Sequence, residues 1–237
     1  MGMEIVSYIF SFASIAFYSV VYLPQFREIY KTKDTSGISF IMLLLWTQSD
    51  YLSLIGTILN DLNLSVIVLG WYHTFMGLAM VLFVLYYKSK ENQFKKSLEP
   101  IVNAFGIAEI WYKSMYCIVF FGINISITAV LYYHHIVNLT LGDILGWITM
   151  TLYITGRFPQ IILNYNRKST QGLSILMYIL TICGNTCYVA SLLFWSIEPE
   201  YIRTNTPWII SSVVTILLDF FVIWQYFVFR IPDTLPI

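Results

Sequence analysis

Charged residues are scarce in this chain, and their scarcity excludes most kinds of soluble protein. The sequence contains 13 Lys and Arg and 13 Asp and Glu among 237 residues, or 11%, whereas an ordinary soluble domain has about 25%. The formal net charge is zero, so no basic face is available to bind nucleic acid phosphates. Only three cysteines are present, which disfavours a small secreted domain held together by disulfides.

Apolar residues take the place of the missing charges. Hydrophobic residues make up 58% of the chain and aromatic residues 18%, and the mean hydropathy is +0.71. One bilayer span needs roughly 20 apolar residues, and seven such segments are predicted at 5–26, 38–60, 64–87, 114–136, 142–163, 173–197 and 207–229. The sequence therefore predicts an all-α polytopic membrane protein with seven transmembrane helices.

The basic residues predict the orientation of these spans. They follow spans 1, 3, 5 and 7, whereas the opposite loops contain only Arg203. Because basic residues favour cytosolic loops, we expect a luminal N-terminus and a cytosolic C-terminus. The basic residues on the cytosolic side are Arg27, Lys31, Lys33, Lys88, Lys90, Lys95, Lys96, Lys113, Arg167, Lys168 and Arg230.

The chain repeats itself after 135 residues. The stretch LPQFREIYKTKDTSGISFIMLLLWTQSD, which starts at Leu23, aligns without a gap with FPQIILNYNRKSTQGLSILMYILTICGN, which starts at Phe158. The shift pairs Pro24 with Pro159 and Asp50 with Asn185. Two equivalent halves are typical of a carrier, whose substrate lies at the repeat interface near the middle of the membrane.

The repeat predicts a parallel 3+1+3 arrangement of the helices. Residues 1–88 form the first three-helix repeat, 89–141 a cytosolic loop and linker helix, and 142–230 the second repeat. Residues 231–237 are expected to form a short cytosolic tail. Each repeat has an odd number of helices, so a linker helix is needed to give both repeats the same orientation.

The prolines are candidate hinges, each followed by a glutamine. Proline lacks an N–H and kinks or ends a helix, so Pro24 with Gln25 and Pro159 with Gln160 are predicted to form gates near the cytosolic ends of spans 1 and 5. The alternative is that each proline simply marks a helix terminus. Gly37 and Gly172, two residues before Ser39 and Ser174, are expected to serve turn and helix-entry geometry.

Asp50 is the strongest candidate for substrate binding. It lies in the middle of span 2, where an aspartate costs roughly 2.5–3.5 kcal/mol. Arg157 is the nearest basic candidate in any span, so the partner of Asp50 is expected to be a cationic substrate or a proton. The alternatives are a protonated aspartate or one that hydrogen-bonds between helices. Asn185, the equivalent residue in the second repeat, is a candidate polar partner or an interhelical contact.

Two further residues complete the candidate site. Asp219, a second acid inside a span, is a candidate for coupling to protons, or it caps a neighbouring helix. Gln225 lies six positions further on and is not expected to share the face of Asp219. His73 in span 3 is a candidate substrate-binding residue, since histidine titrates near the pH of acidic compartments.

Motifs of enzymes and cofactor sites are missing from the sequence. It contains no P-loop, dinucleotide fingerprint, HExxH sequence or nucleophile elbow, and its cysteines lack the spacing of metal ligands. We therefore predict that the protein is not an enzyme and uses no cofactor or metal.

The paired LPQ and FPQ segments resemble the PQ-loop repeat family. The second copy, RFPQIILNYNRKSTQGLS followed by GNTCY, is similar to the lysosomal and vacuolar cationic amino acid exporters. The resemblance implies a fold like that of SWEET carriers and a lysosomal or vacuolar membrane location. It also implies export of arginine, lysine and histidine to the cytosol by alternating access with proline hinges.

Other functions remain open at this point. The same fold carries sugars, or cystine together with a proton, and a seven-helix receptor is a further alternative. Asp50 favours a cation or proton over a sugar, and the duplication disfavours a receptor. Besides its small-molecule substrate, the bilayer and possible protons, the sequence indicates no partner, and it leaves the oligomeric state undefined.

Overall fold

The computed structural model describes residues 2–60, 64–96, 119, 122, 124, 126–134, 136 and 138–229, and all regular structure in these ranges is helical. Residues 126–133 are helical, and seven longer helices have defined bounds. These are α1 (Gly2–Val20), α2 (Leu23–Thr32), α3 (Phe40–Leu59), α4 (Leu64–Lys96), α5 (Leu139–Arg167), α6 (Ile175–Trp195) and α7 (Pro199–Val228). The predicted all-α class is confirmed.

Five helical segments of the described residues are long and apolar enough to cross a bilayer. They are Met3–Thr32, Phe40–Leu59, Ile67–Lys90, Ile175–Trp195 and Asn205–Val228. The predicted span 142–163 lies within α5, a helix of 29 residues that also contains Arg157, Gln160 and Asn164. Ten of the 23 residues of the predicted span 114–136 lie outside the described residues, as do about half of the predicted linker 89–141 and the whole tail 231–237.

The first span is divided into two helices just before its proline. α1 ends at Val20, and α2 begins at Leu23 with Pro24 in its first turn, where the missing N–H costs no helical hydrogen bond. Pro159, the equivalent residue, lies inside α5, which continues past it to Arg167. The two prolines therefore occupy different local structures, one at a helix start and one within a helix.

The two repeats interlock through reciprocal helix contacts. α1 of the first repeat packs against α6 of the second, and α3 of the first packs against α5 of the second. Within the second repeat, α7 packs against both α5 and α6, whereas in the first repeat α4 packs mainly against α3. The core between the repeats contains Met42, Leu43, Met177, Tyr178 and Val222, all buried.

Candidate functional site between the repeats

Asp50 lies at the interface of the two repeats, halfway along α3. This helix of 20 residues is about 30 Å long, and the Asp50 side chain is buried. The Tyr22 hydroxyl donates a hydrogen bond to Asp50 Oδ2 at 3.0 Å, and the Tyr153 hydroxyl of α5 donates to Oδ1. Among the described residues no basic side chain forms an ion pair with Asp50.

Asn185 occupies the equivalent place in the second repeat. The Tyr18 hydroxyl of α1 donates to Asn185 Oδ1 at 2.9 Å, and Asn185 Nδ2 donates to the Thr181 carbonyl. Tyr18 and Tyr153 are themselves related by the 135-residue shift. Each repeat therefore provides a tyrosine that binds the polar residue of the other repeat. Sequence reasoning missed these tyrosines, although the same alignment pairs them.

His73 of α4 lies beside the tyrosine of this second contact. Its Nε2 is 3.3 Å from the Tyr18 carbonyl oxygen, and its ring meets the Tyr18 ring edge to face with a 5.7 Å centroid separation. The structure thus places His73 next to the partner of Asn185.

The second acid within a span, Asp219, forms a buried ion pair with Arg157. Arg157 Nε donates to Asp219 Oδ1 at 3.1 Å, and Nη2 donates to Oδ2 at 3.5 Å. Asp219 is 0% exposed and Arg157 3%. The expectation that Asp219 caps a neighbouring helix is wrong, because its carboxylate pairs with a side chain in the middle of α5. Arg157, the nearest basic candidate for Asp50, is engaged by Asp219.

The ion pair and Asp50 are connected through the same two helices. The guanidinium of Arg157 stacks on the Trp46 ring at 3.9 Å, and Trp46 lies one turn before Asp50 on α3. Tyr153, which binds Asp50, lies one turn before Arg157 on α5. Asp50, Arg157 and Asp219 therefore form a compact cluster of buried charges, which the sequence did not reveal.

The two PQ glutamines each cross to the other repeat. Gln25 Nε2 donates to the Gly172 carbonyl at 2.9 Å, and its Oε1 accepts from Ser174 N at 2.8 Å. Gln160 Nε2 donates to the Gly37 carbonyl at 2.8 Å, and its Oε1 accepts from Ser39 N at 2.6 Å. Both side chains are fully buried. We call this reciprocal pair, Gln25 with Gly172 and Ser174 and Gln160 with Gly37 and Ser39, the glutamine clasp.

The two glycine turns pack directly on each other beside the clasp. A Cβ on Gly37 would collide with the backbone of Gln171 and Gly172, and Gly172 has a positive φ of 83°. Ser39 caps α3 as expected, since its Oγ accepts from Met42 N, whereas Ser174 makes no such bond. Turn geometry and helix entry therefore explain only part of this motif.

Gln225 differs from its expected orientation. It accepts from Asn164 Nδ2 at 2.9 Å and donates to the Ile161 carbonyl, so it faces α5, as Asp219 does. The expectation that Gln225 does not share the face of Asp219 is wrong in this respect, because both side chains contact α5. α5 presents polar groups over several turns, and both residues of α7 reach it.

Comparisons with known proteins agree with this architecture. The model of the PQ loop repeat matches residues 6–66 and 141–200, just over half of the chain. A vacuolar lysine transporter of Saccharomyces cerevisiae is 22% identical, over 92% of this chain and 91% of the transporter. A lysosomal amino acid transporter 1 homolog of Gallus gallus is 28% identical, over 97% of this chain and 82% of the homolog.

The fold also matches a solved structure. A eukaryotic SWEET transporter superposes with a TM-score of 0.58 at 12% identity, covering 97% of this chain and 99% of that one. The SWEET-like fold is therefore shown, and the relatives are transporters rather than enzymes. With two interlocked repeats, a PQ glutamine in each and the matching repeat model, the chain belongs to the PQ-loop repeat family.

Proposed function

We propose that this protein is a membrane carrier that exports the cationic amino acids arginine, lysine and histidine from the lumen of a lysosome or vacuole to the cytosol. The observation that carries this proposal is Asp50, a buried carboxylate between the repeats that forms no ion pair with a basic side chain among the described residues. The lysosomal and vacuolar relatives support the compartment and the class of cargo.

The environment of Asp50 favours a positive cargo. A carboxylate at the bilayer centre costs roughly 2.5–3.5 kcal/mol, and two tyrosine hydroxyls orient it without neutralising its charge. A cationic side chain supplies the missing charge. Asn185 offers a neutral amide on the opposite side of the repeat interface, and His73 contacts Tyr18, whose hydroxyl binds that amide.

The glutamine clasp defines the closed end of the pathway. We place this end at the cytosol, because Lys31, Lys33, Arg167 and Lys168 surround it. Release of cargo requires the repeats, residues 1–88 and 142–230, to separate there and break the bonds of Gln25 and Gln160. Pro24 and Pro159, beside these glutamines, are the proposed hinges, and Asp219 is the candidate for coupling movement to protons.

Flux measurements on proteoliposomes test this proposal. Purified protein is reconstituted, and labelled arginine uptake is measured with unlabelled lysine, histidine, glucose or cystine as competitors. We expect saturable arginine flux that lysine and histidine reduce and glucose does not. Asp50→Asn should abolish this flux, because the cation loses its counter-charge.

Arg203→Gln provides the control for the Asp50 variant. Arg203 forms an exposed ion pair with Glu200 at 2.5 Å, which contributes little in water, so this variant should transport normally. Normal arginine transport by Asp50→Asn contradicts the role of Asp50. Movement of cystine or glucose without arginine would preserve the carrier fold and overturn the cargo.

A further inference from the structure

The buried charges of the site have a pattern that the proposed cargo does not by itself require. Asp50 and Asp219 are negative and Arg157 is positive, so the cluster carries a net charge of minus one when all three are ionised. Arginine or lysine has a positive α-ammonium, a negative α-carboxylate and a positive side chain. Each group of the cargo therefore has an opposite charge in the cluster.

The ion pair has the geometry that recognises a carboxylate. Arg157 presents Nε and Nη2 to the two oxygens of Asp219, the two-pronged arrangement by which guanidinium groups bind carboxylates. Its plane rests on Trp46, which holds the guanidinium in place if the carboxylate in front of it is exchanged. An α-carboxylate fits the position that Asp219 occupies here.

We propose that Arg157 and Asp219 form the subsite for the amino acid backbone, and that Asp50 binds the cationic side chain. The incoming α-carboxylate replaces Asp219 at Arg157, and the released Asp219 pairs with the α-ammonium. With the cargo bound, every buried charge of the cluster has an opposite partner, which matters because burying an unpaired charge is costly. This inference rests on the proposed function and adds the assignment of each group.

Exchange of partners also accounts for the presence of the ion pair. A buried ion pair often stabilises a protein no better than apolar residues of the same size, because desolvation offsets the attraction. Arg157 and Asp219 join α5 to α7 within the second repeat, and the equivalent of Arg157 in the first repeat is the neutral Tyr22. The pair is thus a feature of one repeat alone, as expected for an asymmetric cargo.

Three ligands with closely related skeletons test the assignment. Citrulline has no net charge, arginine has one positive charge, and agmatine, which is arginine without its carboxylate, has two. The assay measures flux and binding of all three ligands at one fixed pH, the same for every variant. For each variant, the flux and the affinity of citrulline and of agmatine are expressed relative to those of arginine.

The substitutions are predicted to move the preference in opposite directions. Arg157→Gln leaves two carboxylates, so agmatine should gain about tenfold or more over arginine, since a charge-assisted bond contributes about 1.5–3 kcal/mol. Asp219→Asn leaves Arg157 without a partner unless the ligand brings an α-carboxylate, so agmatine should lose by a similar factor relative to arginine. The citrulline-to-arginine ratio, which depends on Asp50, should not change in either variant. The double variant Arg157→Gln/Asp219→Asn restores the net charge and should again prefer arginine.

Controls separate this proposal from a structural role of the ion pair. Arg203→Gln, which removes only the exposed pair with Glu200, should keep the wild-type ratios. Substrate-induced shifts in melting temperature provide a second measurement for variants with slow flux. If Arg157→Gln fails to fold, Asp219→Asn and the double variant still test the preference.

The outcomes distinguish this inference from the function itself. Arginine transport by the wild type together with an unchanged agmatine-to-arginine ratio in Asp219→Asn would overturn the subsite and leave the carrier intact. No arginine transport by the wild type would overturn the proposed function. Opposite shifts of the agmatine-to-arginine ratio in Arg157→Gln and Asp219→Asn, with the wild-type preference restored in the double variant, support the subsite.

Discussion

At the scale of single residues, the site joins equivalent tyrosines to unequal partners. Tyr153 donates to the carboxylate of Asp50, whereas Tyr18 donates to the amide of Asn185. Hydrogen bonds to charged groups contribute about 1.5–3 kcal/mol, and neutral ones about 0.5–1.5 kcal/mol. The duplication therefore supplies a matched pair of contacts that differ mainly in the charge of the acceptor.

Tyr153→Phe should destabilise the protein more than Tyr18→Phe. The first variant leaves a buried carboxylate with one fewer donor, and we expect a loss of about 1.5–3 kcal/mol, against about 0.5–1.5 kcal/mol for the second. Melting temperatures of the purified variants in the same detergent make the comparison. An equal loss, or a larger loss for Tyr18→Phe, would show that Asp50 does not depend on this hydroxyl.

The alignment of the repeats predicted some of these residues and not others. Asp50 and Asn185 stand out because polar groups are rare within apolar helices. Tyr18 and Tyr153 are two of 18 tyrosines, and apolar helices commonly carry tyrosine at the membrane interface. Only the packing of α1 on α6 and of α3 on α5 shows which tyrosines reach the polar residues.

At the scale of elements, two turns determine how closely the repeats approach. The turns before α3 and α6 meet through Gly37 and Gly172. The preceding helices α2 and α5 are each followed by a lysine in the left-handed region, Lys33 with φ 58° and Lys168 with φ 48°. Equivalent sequences therefore form equivalent turns, which meet at one end of the molecule.

Gly37→Ala should disrupt this contact, whereas Gly122→Ala should not. A methyl group at Gly37 would overlap the backbone of Gln171 and Gly172, whereas no atom of the described residues lies within 4 Å of a methyl group at Gly122. Gly122 is helical and exposed, so alanine there should stabilise by up to about 1 kcal/mol. Thermal melting of both variants measures the difference, and unchanged stability of Gly37→Ala would contradict the close packing of the turns.

At the scale of the whole molecule, the repeats hold each other through reciprocal contacts. α1 of the first repeat packs against α6 of the second, and α5 of the second packs against α3 of the first. Each PQ glutamine binds the turn of the other repeat. The PQ motif was predicted to serve as a hinge or gate. Its glutamines supply the bonds that any opening at this end must break, and the gating role itself stays a prediction.

Replacing both clasp glutamines should open this end of the molecule. Gln25→Leu with Gln160→Leu leaves buried backbone groups without partners, at about 1–3 kcal/mol for each group. Spin labels at Lys31 and Asn166, exposed and equivalent in the two repeats, report the separation after replacement of the three native cysteines. We expect a longer mean distance in this variant.

A second substitution of the same chemistry serves as its control. Gln171→Leu changes an exposed glutamine in the same region, so it should leave the distance between the labels unchanged. An unchanged distance in the clasp variant as well would show that Gln25 and Gln160 do not hold this end closed.

The sequence by itself determined the membrane class, the duplication and the pairing of Asp50 with Asn185, because hydropathy, charge distribution and repeat spacing are properties of the chain order. It did not determine which buried groups meet. The ion pair of Arg157 with Asp219 and the crossing of Gln25 and Gln160 depend on helices that are distant in sequence and adjacent in space. Only tertiary packing brings these groups within bonding distance, and it therefore decides which carboxylate remains available to a cation.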